Sequence, residues 1–492
     1  MNSTSPTPND NKLAQQTPAR PPLKSLDDAL LELLANASPL TANASPLTSV
    51  EDVLLQLADG RVLGNDVVAQ LDVPGFDNSS VDGYALNIAD TSTALREGLP
   101  QSARIPAGHF SGNLAGGTVA RIFTGAPIPV NANAVVMQED CLVSPQPAGD
   151  VVVARIFTGA PIPVNANAVV MQEDCLVSPQ PAGDVVRLTQ APTPGQNIRL
   201  RGEDIANGQV VVHKGTRLTP AHLGLLASIG QAHVSVLKPL RVALLSTGDE
   251  LVMPGAVAAD ALPPGAIFSS NGFFLSTLLT RLGAHVTELA IVADTLADTQ
   301  AALQHAANDH DLIVSTGGVS VGEEDHVKPA VQSLGSLDLW ALAIKPGKPF
   351  AYGRINRLNA ASCAHFVGLP GNPVSSFVTF VVLVRPFIDR LLGVSHAGVL
   401  VRPFIDRLLG VSHAGVHALP MTAHFDWPKP DKRREFLRVK RNTLGGLDLY
   451  PNQSSGVLTS VSWADGFVDN PPSQSISRGD TVSFWPMSQC IA

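Results

Sequence analysis

The chain has 492 residues, 45% of them hydrophobic and 15% charged, with a formal net charge of -9. That length excludes a single core and calls for several domains, and the apolar share excludes a mainly disordered chain. The acid excess argues against general affinity for nucleic acid or for an anionic membrane, since both reward a basic face; an anionic ligand needs a local site.

Residues 1–22 are rich in Ser, Thr, Asn, Pro and Gln, have no apolar stretch of the secretory kind, and read as a disordered tail. Ser25 then caps an expected amphipathic helix over residues 25–34, with Asp27 and Asp28 in its first turn and Leu31 and Leu34 on one face. A helix and a short strand are expected over 50–68. From 69 to 194 short Val- and Ile-rich runs are cut by Gly, Pro and Asn, which predicts a small β domain. Residues 195–236 return to short strands and a helix opening at Thr219-Pro220.

Strand and helix alternate from 238 to 398: strands at 241–246, 286–292 and 312–315, helices at 271–282, closed by Gly283, and at 298–307. Such alternation specifies a parallel sheet with ligands beyond the carboxyl ends of its strands. A closing β domain is expected over 417–492. The chain thus divides into a linking domain (23–68 with 195–237), a small β domain (69–194), a central α/β domain (238–398), a short segment (399–416) and the closing domain. The four cysteines, Cys141, Cys175, Cys363 and Cys490, form no C-x-x-C pair, which fits a reducing, cytoplasmic setting. The longest apolar run, 377–384, falls far short of the roughly 20 residues that span a bilayer.

Three uninterrupted duplications interrupt this order: 35–41 recurs as 42–48, 119–152 as 153–186, and 382–398 as 399–415. The copies are letter-identical, paired and of unrelated lengths, which is not the signature of a solenoid. One copy of each removed leaves 434 residues as the chain to fold. The two copies of the longest repeat compete for one set of strand pairings, so one is expected to be a surplus loop. Gly393 and Gly398 are expected to break the helix that the 17-residue repeat would otherwise continue.

The strongest chemical signal is DLIVSTGGVSVGEED at 311–325. A buried strand runs into Gly317 and Gly318, where backbone approaches a ligand closely, and then presents Ser320 and Gly322 ahead of a helix start near Asp325. Glu323, Glu324 and Asp325 follow as candidate Mg²⁺ carboxylates; an ordinary strand-to-helix turn with solvated acids stands as the alternative. LLSTGDE at 244–250 repeats the pattern with Ser246, Thr247, Gly248 and Glu250, and two such loops point into one crevice. Between them IFSSN at 267–271 opens a helix, where Ser269 or Ser270 reads first as a cap.

In AIKPGKPF at 343–350, Lys345 and Lys348 are fixed by prolines and suit phosphate oxygens, with a cationic outer loop as the alternative. VGLPGNPVSS at 367–376 reads as a strand, a turn at Pro370 and Gly371, and a helix capped by Asn372 whose amino end suits an anion. Two further polar segments, 72–84 with Asp77, Asn78, Ser79, Ser80 and Asp82, and 195–204 with Arg199, Arg201, Glu203 and Asp204, supply carboxylates and guanidiniums. Arg199 and Arg201 are expected to alternate on one strand face.

Taken in order, PGFDNSSVDGYA (74–85), RIFTGAPIP (121–129), GQNIRLRGEDI (195–205), STGDEL (246–251), STGGVSVGEED (315–325), AIKPGKPFAYG (343–353) and GLPGNPVS (368–375) resemble the molybdopterin molybdenumtransferases, the bacterial MoeA proteins and the carboxyl-terminal domain of gephyrin. The resemblance covers about residues 23 to 490 once the duplications are set aside. It implies an elongated homodimer whose central α/β domain is flanked by small β domains, with a site completed by the partner subunit. It also implies Mg²⁺-dependent insertion of molybdenum from molybdate into adenylylated molybdopterin, with release of AMP.

By motif position Asp82, Asp204, Glu250 and Asp325 match the family's functional carboxylates, Glu250 and Asp325 being matched with the metal, and Lys345 and Lys348 match its anion-holding lysines. Thr124 is a candidate contact in the β domain, and Thr158 in the second copy has an equal claim. Ser269 stands where many relatives carry aspartate, which implies altered molybdate or metal handling. Molybdopterin adenylyltransferase and apo-molybdoenzymes are the implied transient partners. The rivals are the adenylyltransferase itself, which would not need the flanking domains, a gephyrin-like scaffold, and an inactive duplicated variant.

Overall fold

The computed structural model describes residues 23–37, 49–106, 108–109, 113–124, 126, 131–132, 134–137, 141–142, 152–158, 169–171, 175–178, 185–188, 191–319, 325–358, 362–394 and 418–488. The amino-terminal tail, the second copies of the two shorter repeats, Ser320, Gly322, Glu323 and Glu324 lie outside these residues. The chain forms two compact units, one of Glu51–Val236 and one of Met1–Val50 with Leu237–Ala492.

Within Glu51–Val236 there are two separate cores. One gathers Leu55, Leu63, Ile205, Leu218, Leu226 and Val236 from the two ends of the segment. The expected helix after residue 50 is instead the strand Val50–Leu54 and a single 3-10 turn, Leu55–Leu57. Pairing decides this, because the strand lies against His233–Leu237 and Leu55 donates its amide to the Ala232 carbonyl. The helix Pro220–Ser228 begins as its sequence implies, with Thr219 and His222 closing a reciprocal capping box and Pro220 in the first turn.

The other core belongs to a nine-stranded sheet holding both copies of the 34-residue repeat. The strands Thr118–Thr124 and Val152–Thr158 are equivalent pieces of the two copies and run parallel, Arg121 opposite Arg155 and Thr124 opposite Thr158. Both also address the strand Leu99–Ile105, where Ile105 is matched with Ile122 and with Ile156. The second copy is therefore strand and not the surplus loop expected for it: identical residues offer the same alternation to the same edge, so both seek the one slot.

In the other unit, four strands run parallel in the order His285–Glu288, Arg241–Ser246, Leu312–Thr316 and Cys363–Leu369. Two antiparallel strands, Ala351–Asn356 and Gly335–Trp340, extend the sheet on one side, so it is mixed and not wholly parallel. Leu312–Thr316 is buried along its whole length, as a central strand with both faces covered must be. Ala243, Leu245 and Ile313 pack beneath the helices Leu296–Asp309 and Val327–Leu334. Their neighbours Val242, Leu244, Leu312 and Val314, equally buried, face the other way. At the amino ends of these strands the buried Asp311 carboxylate accepts from Arg241 at 2.7 Å and Arg357 at 3.2 Å.

The helix Leu26–Asn36, capped by Ser25, buries Leu26, Ala29, Leu30 and Leu33 in this same unit, against Arg385–Leu391. It is thereby separated from the linking segment with which sequence had grouped it. The helix from Pro373 passes through a π turn at Phe380–Val384 and ends at Leu391, where Gly393 takes the left-handed conformation (φ 60°) expected of a breaker. The closing domain is a five-stranded sheet to which Ile344–Lys345 adds in parallel. Among the described residues no helix is long and apolar enough to cross a membrane.

On the central sheet His365 stacks near Tyr352 and meets the Phe387 edge, and burial pushes its pKa down to about 4. Unfolded histidine takes up its proton near pH 6.5, so unfolding is linked to proton uptake between about pH 6.5 and 4. Stability should fall across that window by up to about 1.4 kcal/mol per pH unit. His365→Gln should flatten the slope in denaturant midpoints measured from pH 7.5 to 4.5. Deleting residues 153–186 should raise the melting temperature and narrow the transition, since one contender for each strand position is gone; a lower melting temperature would contradict the competition.

Candidate active site

Three neighbouring parallel strands end at one level, Ser246 opposite Thr316 and Thr316 opposite Leu369. Their loops are tied across the strand ends: the Thr247 amide donates to the Thr316 carbonyl at 3.2 Å and the Gly317 amide to the Leu369 carbonyl at 3.1 Å. Above them lies a cavity of ≈ 640 Å³, and its walls include Ser246, Thr247, Gly248, Glu250, Ser269, Gly317, Gly318, Asp325, Pro370, Gly371 and Asn372. Both sequence loops and the GLPGN turn thus converge as the topology requires.

The glycines are there for space. A side chain at Gly317 (φ 96°) would place its Cβ 2.5 Å from the Thr247 carbonyl oxygen, and one at Gly318 (φ 64°) 2.6 Å from Val327. Only glycine lets the loop fold down on Thr247. Gly248 has the Glu250 carboxylate against its open face, where a Cβ would overlap it.

Asp325 is half-buried, yet both its carboxylate oxygens are shielded from solvent and accept no hydrogen bond among the described residues. Burial pushes its carboxyl up to about 6, against the pull of the Lys328 and Val327 amides. A shielded carboxylate without a donor is costly on its own and suits a hard cation. Glu250 on the same cavity wall offers a second oxygen donor. No cluster of three or more metal-ligating side chains occurs among the described residues. Two carboxylates nonetheless fit the Mg²⁺ pattern of one or two protein oxygens completed by phosphate and water.

Asn372 precedes the helix Pro373–Thr379 but its side chain makes no capping bond, so the expected cap is absent and the residue lines the cavity instead. Lys345 and Lys348 are not on the walls, though Pro349 is. Lys345 Nζ lies 3.4 Å from both Asp431 and Glu435, carboxylates of the closing domain. Sequence reasoning missed Asn271, Asp294, Thr316 and Gly456 as wall residues. Asn271 carried a helix-start signal that concealed it; Gly456 has no local signal and arrives because the Ser455 carbonyl accepts from the Val374 amide at 2.9 Å.

Asp82, Arg199, Arg201 and Asp204 belong to the unit Glu51–Val236, where the two polar segments do meet. Ile198 pairs with Ser79 and Arg199 with Asn78, while the Asp204 amide donates to the Val73 carbonyl at 3.0 Å. Arg201 departs from the expected strand face: it lies beyond the strand Ile198–Arg199, with Nε 2.5 Å from Asp72 and its amide 2.7 Å from Asp77. Bonds from the Asn207 amide and the Arg201 guanidinium hold the Asp72 carboxyl below its ordinary range. Thr124 ends the strand Thr118–Thr124, and its side chain lies outside what is described.

Residues 243–390 match the family model described as a probable molybdopterin binding domain. Residues 24–153 and 143–230 match the MoeA N-terminal region (domain I and II), and residues 420–487 the MoeA C-terminal region (domain IV). Molybdopterin molybdenumtransferase of Haemophilus influenzae is 38% identical over 340 residues, 69% of this chain and 72% of the relative. Molybdopterin molybdenumtransferase 2 of Mycobacterium tuberculosis is 33% identical over 448 residues, 89% of this chain and 95% of the relative.

The chain belongs to the molybdopterin molybdenumtransferase family.

Two crystal structures of a MoeA protein from Pyrococcus horikoshii share this family's fold with TM-scores of 0.65 and 0.68, at 27% and 24% identity, each covering 94% of this chain and 99% of theirs. The amino-terminal family match breaks within the duplicated segment, as an inserted extra copy requires. Members of this family are transferases of molybdenum-cofactor biosynthesis. Asp325→Asn should remove a shielded charge and raise the unfolding free energy at neutral pH by on the order of 1 kcal/mol, allowing for solvent screening. Urea titration of the two proteins checks this; a loss of stability would mean that Asp325 has a structural partner.

Proposed function

We propose that the chain inserts molybdenum from molybdate into adenylylated molybdopterin and releases AMP, with Mg²⁺ as cofactor. The reading rests above all on the cavity in the molybdopterin-binding segment, with its glycine-backed floor and unpartnered Asp325 carboxylate. A nucleotide-capped pterin needs close backbone approach for its phosphates, which Gly248, Gly317 and Gly318 permit. Ser246, Thr247, Ser269, Pro370, Gly371 and Asn372 orient it, and Ser320 and Gly322 extend the same loop.

Glu250 and Asp325 would hold Mg²⁺, which when bound supplies Lewis acidity at the phosphoanhydride and a template for its oxygens. Lys348 takes the anion-holding part, while Lys345 shares its ammonium with Asp431 and Glu435. Asp82 and Asp204, with Arg199, Arg201 and Thr124, guide molybdate in this reading. Ser269 offers a hydroxyl at a wall position where a carboxylate would attract a cation, so it shifts molybdate or metal handling without removing pterin binding. The enzyme acts as a cytoplasmic homodimer with five structural divisions, a linking domain (23–68 with 195–237), the β domain 69–194, the central domain 238–398, the segment 399–416 and the closing domain 417–492. It meets the adenylyltransferase and apo-molybdoenzymes transiently.

The adenylyltransferase alternative is disfavoured by the flanking matches to the MoeA N- and C-terminal regions, which a bare central domain would not need. Purified protein mixed with adenylylated molybdopterin, molybdate and Mg²⁺ should release AMP and activate an apo-molybdoenzyme. Asp325→Ala and Asp82→Ala should each slow release by about 100-fold or more. Intact substrate beside wild-type protein would defeat the assignment.

A further inference from the structure

The helix Asn271–Arg281 begins at the cavity with a buried side chain whose hydrogen bonds are only partly made. Asn271 Nδ2 donates to Thr316 Oγ1 at 2.8 Å and to the Gly371 carbonyl at 2.7 Å. Proton counting fixes this amide orientation. The Gly371 carbonyl can only accept, and Thr316 spends its single hydroxyl proton on the Pro370 carbonyl at 3.2 Å, so it too must accept from Asn271. Turned over, Oδ1 would face two acceptors.

Asn271 Oδ1 is therefore a committed acceptor, and it has no partner among the described residues. Bulk water does not reach it, so whatever satisfies it must enter the cavity whose wall Asn271 forms. Phosphate and carboxylate oxygens cannot do so at neutral pH, because they only accept. The need is for a neutral O–H or N–H donor. An AMP moiety carries both kinds, in its ribose hydroxyls and in the exocyclic amine of its base. A buried acceptor of this kind discriminates strongly, since a ligand lacking the donor leaves it unpaired within the complex.

We propose that Asn271 is a specificity-determining residue whose Oδ1 accepts a hydrogen bond from a neutral donor on the nucleotide portion of the substrate. The proposal rests on the nucleotide reading of this cavity and adds the group that recognises it. Thr316, Pro370 and Gly371 act as positioning groups, since they hold the amide with its oxygen unspent.

Calorimetry with the full chain and Mg²⁺ would compare AMP, 2′-deoxy-AMP, 3′-deoxy-AMP and purine riboside monophosphate, which lacks the amine. One of the three analogues should bind at least about 10-fold more weakly than AMP, and which one identifies the ribose or the base as the donor. The same analogue should show no deficit relative to AMP on Asn271→Ala. If all four ligands bind wild-type protein within about twofold, the proposal is overturned, whether or not the variant folds. An analogue deficit that persists in a folded Asn271→Ala overturns it as well. No AMP binding by wild-type protein overturns the nucleotide reading itself and this proposal with it.

Discussion

The shared level at which three parallel strands end is the constraint from which the site follows. Ser246, Thr316 and Leu369 are register neighbours, so the loops that leave them must emerge side by side. Two backbone hydrogen bonds, Thr247 to Thr316 and Gly317 to Leu369, carry the alignment past the strands into the loops. A slip in either pairing would turn alternate side chains to the opposite face and scatter the glycines. The buried apolar strands beneath make that slip expensive, which is how a hydrophobic core fixes the position of polar groups it does not touch.

What the core stabilises, the site partly spends. Gly317 and Gly318 give up backbone stiffness so that the loop can lie against Thr247. Asp325 holds two shielded oxygens without donors, and Asn271 one. Each is a cost in the free protein that a cation or a donor-bearing ligand would remove. Elsewhere the same fold does not leave buried acids unpaired: Asp311 accepts from two arginines, and Glu435 accepts from Trp427 and Asn470. The contrast between paired acids away from the cavity and unpaired oxygens on its wall marks the wall as a place prepared for something else.

Much of this was legible in sequence because the relevant signals are local. Period, caps and glycine punctuation placed the strands Arg241–Ser246 and Leu312–Thr316 and the helices Leu26–Asn36 and Pro220–Ser228. The GG loop, STGDE and GLPGN declared themselves by composition. What stayed hidden depended on partners distant in the chain. Val50–Leu54 is strand only because His233–Leu237 lies beside it, and the two antiparallel strands need neighbours no local pattern names. Asn271 looked like a helix start, which it is; its unspent oxygen becomes visible only once Thr316 and Gly371 are seen to take both donors. Lys345 looked free until Asp431 and Glu435 arrived from the closing domain.

The duplication places the two halves of the chemistry under unequal demands. Every wall residue of the cavity belongs to Met1–Val50 or Leu237–Ala492, whereas the 34-residue repeat lies wholly in Glu51–Val236. The register of Ser246, Thr316 and Leu369 owes nothing to the doubled strands, so the nucleotide-facing machinery can form while two identical strands contend for one slot. Asp82 lacks that independence, because it directly precedes Gly83–Leu86, a strand matched with Ala120–Ile122 of the first copy and with Val169–Met171 of the second. Competition among the copies therefore bears on the Asp82 end of the proposed reaction before it bears on ligand capture, which separates loss of turnover from loss of binding in this chain.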